Sequence, residues 1–151
     1  MLAEALMKFS PGIVLCLGGI GSCIGILAAA TAAAGAWASE GKGGKKLSFQ
    51  YIIMVAMPIS QTLYAMILMN TMFSKLTQNA NMGLILGVGV GCGLVELFSA
   101  AFQGRAGASG VRCLNENGGK GFGLIIIALG IIETVGIFAM VFGLMILKAA
   151  A

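Results

Sequence analysis

Four long stretches of this chain are almost free of charge, and that feature constrains the fold more than any other. Residues 9–39 and 47–74 contain no Asp, Glu, Lys or Arg; 76–104 contains only Glu96, and 121–147 only Glu133. A membrane-spanning helix needs about 20 apolar residues. Lipid offers the backbone no partner, so such a segment must satisfy its own peptide groups as a helix. Four spanning α-helices are therefore predicted. At 1.5 Å per residue a 28-residue run extends about 42 Å, beyond the ~30 Å hydrocarbon core, so the helices tilt or protrude.

Composition excludes the soluble alternatives. Charged residues make up 9% of the 151, and mean hydropathy is +1.02. A water-soluble domain carries about 25% charged residues and could not solvate its surface with so few. Histidine and Asp are absent; the five acids are Glu4, Glu40, Glu96, Glu116 and Glu133. Ser-His-Asp triads and His-ligated metals are thereby excluded. The net charge of +4 is small and scattered, which argues against a nucleic-acid partner. The N-terminal apolar run is longer than a signal-peptide core, so cleavage is not expected.

Short polar connections at 40–46, 75–81 and 115–120 join the runs, with Gly and Asn as helix stops. Lys42, Lys45, Lys46, Arg105, Arg112 and Lys120 fall on one side, against Lys8, Lys75 and Lys148 on the other. This bias predicts a multi-pass cell-membrane protein with cytoplasmic basic loops and both termini outside.

The two halves resemble each other weakly. Gly19 to Cys23 in run 1 parallels Gly89 to Cys92 in run 3, and Gln61-Thr62-Leu63-Tyr64 parallels Glu133-Thr134-Val135-Gly136. The expected organisation is a single four-helix membrane domain over 1–151. It is built from two tandem hairpins at about 9–74 and 81–148. Parallel repeats of this kind occur in transport proteins. Glycine is concentrated in runs 1 and 3, with Gly83, Gly87 and Gly91, and Gly89 and Gly93, at four-residue spacing. Small residues at that spacing let helices approach closely in lipid. The pattern fits packing within a monomer or the crowded inner layer of an oligomer.

One polar constellation stands out. Glu133 lies 13 residues after Lys120 and 15 before Lys148, near mid-membrane, where an ionisable group is costly and marks function. Gln61, 15 residues after Lys46, has similar depth. Met57, Ser60, Gln61 and Tyr64 share one helix face, and Pro58 among them frees the carbonyl of Met54. Gln103 is 14 residues before Asn117 and Glu133 is 16 after it, an axial offset of about 3 Å in a hairpin. The constellation unites one carboxylate, two amides, hydroxyls and a loosened carbonyl. These are hard oxygen ligands with a single negative charge, suited to a monovalent cation. Tyr64 is placed to donate a hydrogen bond to Glu133. Taken singly, Ser60, Gln61 and Tyr64 would read as interhelical glue; their shared depth with a carboxylate favours a site.

The segments 57–64, 98–104 and 132–134 resemble the proteolipid (rotor-ring c or K) subunit of V-type ATPases, more narrowly its bacterial sodium-translocating branch. The resemblance spans nearly the whole chain. It implies a homo-oligomeric ring with glycine-rich helices inside, turning against a static membrane subunit that carries an Arg. ATP hydrolysis would occur in other subunits, and a central stalk would contact the cytoplasmic loops. By the same resemblance the Na⁺ ligands are the Ser60 hydroxyl, the Gln61 and Gln103 side chains, the Glu133 carboxylate and the Met57 backbone carbonyl, with Tyr64 bonded to Glu133. No organic cofactor is implied.

Three positions depart from the pattern. Ser60 stands where a Thr is common, which keeps the hydroxyl. Ala34 stands where the repeat would place a second Gln, so one complete site per chain is expected. Glu96 has no counterpart; a proton, the polar ring interior and a neighbouring subunit's cation are its possible partners. The rival readings are the same rotor carrying H⁺, a small dimeric four-helix exporter, and a tetraspan scaffold. The four cysteines form no CxxC and read as small packing residues.

Overall fold

The computed structural model describes residues 2–78 and 81–149. It is all-helical: α1 Leu2–Lys42, α2 Gln50–Ala56, a 3-10 turn Met57–Ile59, α3 Ser60–Thr77, α4 Met82–Glu116 and α5 Phe122–Ala149. Helix α2, the turn and α3 together form the second span, Gln50–Thr77, so four helical segments are long and apolar enough to cross a membrane. No strand occurs among the described residues.

The break in the second span follows from Pro58. Proline cannot donate to the carbonyl four residues back, and its ring crowds the preceding turn. The helix tightens to i→i+3 bonding, and the Ser60 N–H bonds the Met57 carbonyl. The Met54 carbonyl lies against Gly107 of α4, where a Cβ would stand 3.1 Å away.

Helices α1 and α4 pack backbone to backbone. A Cβ on Gly104 would collide with the Gly25 backbone, and one on Gly25 would strike the Ala100 carbonyl. Only glycine permits that approach. The glycines of α4 divide into two sets. Gly89 and Gly93 press on Ser10 and on Val14 and Leu17, whereas Gly87 and Gly91 face open space. Two apolar clusters bracket the middle of the bundle. Val14, Leu68, Met72, Ile85 and Leu147 close one end, and Ala33, Tyr51, Met54, Val111, Leu114 and Leu129 the other. Helix α5 is the least covered of the four spans.

The connections are capped by local chemistry. Asn81 accepts from the Gly83 and Leu84 N–H groups and caps α4. Gly118, Gly119 and Gly121 take positive φ angles of 61°, 85° and 89° to reverse the chain into α5. In the first connection the Glu40 carboxylate accepts from Tyr51 Oη at 2.6 Å and from the Ser48 N–H at 2.9 Å. Trp37 Nε1 donates to the Ser48 carbonyl at 2.8 Å. These bonds clip the loop to both helix ends.

Candidate functional site

The polar residues of three helices meet between the two apolar clusters. From α3, Tyr64 Oη donates to Glu133 Oε1 at 2.8 Å. From α4, Gln103 Nε2 donates to the Leu129 carbonyl at 3.2 Å and to Glu133 Oε2 at 3.4 Å. Both partners of that amide are acceptors, so the NH₂ end faces them. Gln103 Oε1 is left buried with no donor. A buried acceptor without a partner is costly unless something electropositive meets it.

A second group lies beside the first. Ser60 Oγ sits 2.9 Å from the Met57 carbonyl and 3.1 Å from Gln61 Oε1. Gln61 is fully buried, and its Nε2 donates to Ser99 Oγ at 3.2 Å. Ser99 in turn donates to the Ile132 carbonyl at 3.2 Å, next to Glu133 in sequence. The pairwise bonds therefore run Ser60–Gln61–Ser99–Ile132 on one side and Tyr64–Glu133–Gln103 on the other. Glu133 itself is half-buried at the bundle's edge, while Gln61 and Gln103 are enclosed.

The face of the second span that carries Ser60 and Gln61 is backed by α1. Ser22 Oγ donates to the Pro58 carbonyl at 2.5 Å, and Thr62 Oγ1 donates to Ser22 Oγ at 2.7 Å. The turn that presents the Met57 carbonyl is thus tied to α1.

Sequence reasoning missed Ser99 as the bridge between α3 and α5. The signal was present, because Ser99 precedes Gln103 by four residues and shares its face. The structure also bears on three further expectations. The Glu96 side chain does not reach the surface of the chain. It is wholly buried within the chain, against Gly136 of α5. The carbonyl facing Ser60 is that of Met57, the one the resemblance implies, and the Met54 carbonyl that Pro58 frees lies against Gly107. Cys16 and Cys23 are exposed on the surface of the chain, while Cys92 and Cys113 are half-buried. Among the described residues no three of His, Cys, Asp or Glu gather into a metal cluster; the site is one carboxylate among neutral oxygens.

Four spanning helices with one half-buried carboxylate held by a Tyr and a Gln at mid-length define an intramembrane ion carrier. The family model for the C subunit of ATP synthase matches residues 9–72 and again 86–146, and the chain belongs to that family. It is therefore a non-catalytic, multi-pass rotor-ring subunit of a rotary ATPase, and the ATP chemistry occurs in other subunits. Comparison with curated proteins found no match.

Proposed function

We propose that this chain is the rotor-ring proteolipid of a V-type ATPase and that its cargo is Na⁺, carried on Glu133. The observation that supports the reading most is the orientation of Gln103. Its amide holds Glu133 through Nε2 and leaves Oε1 buried without a donor. A proton on Glu133 makes no use of that oxygen, and a metal cation does. The Gln61 Oε1, the Ser60 hydroxyl and the Met57 carbonyl supply further neutral oxygens, and a single carboxylate matches a single positive charge.

In this reading Tyr64 keeps the Glu133 rotamer closed while the loaded site faces lipid, where a bare carboxylate is costly. An Arg of the static membrane subunit pairs with Glu133 and releases the ion. Rotation then carries the site to an aqueous half-channel for reloading. The membrane potential acts on each charge moved with about 2.3 kcal/mol per 100 mV. The basic loops lie in the cytoplasm and meet the central stalk, and both termini lie outside.

Carbodiimide labelling of the purified ring, mapped by mass spectrometry across pH, tests the cargo. Reaction at Glu133 that Na⁺ suppresses supports the sodium reading. Labelling that ignores Na⁺ and falls only with rising pH makes the chain a proton rotor. No reaction at Glu133 removes it as carrier.

A further inference from the structure

Arg105 stands close to the level of the ion site. It lies two residues beyond Gln103 on α4, about 3 Å along the axis toward the loop end. Gln103 reaches Glu133 at 3.4 Å. Two residues turn an α-helix by about 200°, so Gln103 points into the bundle and Arg105 out of it. Gln103 is buried and Arg105 is exposed. Ser109 and Arg112, four and seven residues further on, are exposed on the same face. Neither guanidinium has an ion-pair or hydrogen-bond partner among the described residues. Arg is charged at every relevant pH, and at this level it is costly against acyl chains.

The exposed surfaces of α1 and α4 both change character at this height. On α4 the face is apolar through Leu94, Phe98 and Phe102, and Arg105, Ser109 and Arg112 follow. On α1 it is apolar through Ile20, Ile24 and Leu27, and Thr31 and Gly35 follow. The contact of Gly25 with Gly104 holds the two helices in register, so both changes fall at one level. Thr31 and Gly35 share a cleft of about 290 Å³ with Arg112, Asn115 and Glu116. Helix α5 is different. Ile125 meets Gly110, which sets Leu124 and Ile127 level with the stretch from Arg105 to Arg112. Those two side chains are apolar and 74% and 62% exposed. The second span is likewise apolar and exposed as far as Phe49 at its loop end. The outer surface of α5 thus suits acyl chains almost to the loop. The face of α1 and α4 suits them only to Phe102, about nine residues or 14 Å nearer mid-membrane.

A lipid layer that covers Leu27 and Phe102 and ends there places its headgroups beside Arg105. Arg105 and Arg112 outnumber Glu116, the one acid between Gln103 and the end of α4. Guanidinium matches phosphate with two parallel hydrogen bonds, and basic side chains at a membrane surface select anionic lipids. We propose that the exposed face of α1 and α4 binds the headgroup of an anionic phospholipid at Arg105 and Arg112. The lipid layer against this face then stops about 14 Å short of the layer against α5. The site serves a ring that carries Na⁺ and a ring that carries H⁺ alike.

Intact rings in nanodiscs of equal phosphatidylglycerol and phosphatidylcholine test this, with the retained lipids counted by native mass spectrometry. At about fivefold per Arg, phosphatidylglycerol should be enriched roughly 25-fold, and Arg105→Gln with Arg112→Gln should return the ratio to about one. Equal retention of the two lipids by the unaltered ring would overturn the proposal. So would an enrichment that the double substitution leaves unchanged. A phosphatidylglycerol with a photoreactive headgroup needs no substitution, and it should label α4 between residues 103 and 116. Labelling confined to the other helices means that a neighbouring copy or another lipid level covers this face, and overturns the assignment. Loss of the α4 label on adding inorganic phosphate would make the pair a free-anion site and would overturn it too.

Discussion

The chain contains two Tyr–Glu hydrogen bonds, and they are built for opposite purposes. At the loop end, Tyr51 binds Glu40 at 2.6 Å while the Ser48 N–H holds the other oxygen at 2.9 Å. At mid-span, Tyr64 binds Glu133 at 2.8 Å, but the other oxygen has only the Gln103 amide at 3.4 Å. Glu40 is buried; Glu133 is half-exposed. The same residue pair makes a clasp where a backbone donor completes it, and a latch where a long, shared amide bond does. On the proposed reading, the strength of the second oxygen's partner separates a structural carboxylate, Glu40, from the ion carrier, Glu133.

That contrast is open to test by substitution. Glu133→Gln should have the largest effect, reducing ion transport in reconstituted vesicles to background while the ring still assembles, because a neutral isostere cannot cycle. Next, Gln103→Ala removes a donor to a charged group and an acceptor for the cation. At about 1.5–3 kcal/mol for such a bond, Na⁺ binding should weaken roughly 10- to 100-fold, with proton affinity changed less. Equal losses for both ions in a binding titration would make Gln103 structural glue. Tyr64→Phe takes one bond from Glu133 and should weaken Na⁺ binding by roughly tenfold. Tyr51→Phe should leave ion binding unaltered and lower ring stability by about 1 kcal/mol, read as a lower temperature of dissociation in detergent. If Tyr64→Phe and Tyr51→Phe behaved alike in both assays, the distinction between latch and clasp would be lost.

Much of the architecture was legible in the charge-free runs, because lipid leaves an apolar segment of that length little choice but a helix. The break in the second span was readable from Pro58. The neighbourhood of Tyr64, Gln103 and Glu133 was readable from their residue counts to the turns. Helix rotation was not readable. Spacing tells which residues share a face, and it does not tell which helix that face meets. The contact of Gly25 with Gly104 sets the rotation of α4 against α1, and with it the inward direction of Glu96 and the bridging of Ser99. The glycines at 87 and 91 have the same spacing as 89 and 93, yet only the latter pair reaches α1.

The seam between α4 and α5 has a mechanical consequence. Side chains of α4 reach across to backbone carbonyls of α5 at three heights: Gln103 to Leu129, Ser99 to Ile132 and Cys92 to Ala139. Apolar contacts slide past one another at little cost, whereas a bond to a fixed carbonyl resists axial slip. A sideways force on Glu133 is therefore delivered to α4 at discrete rungs, and through its glycine contact to α1. The least covered of the four spans is thus pinned along its length, so that it and α4 move as one stave, with α1 carried along by its glycine contact.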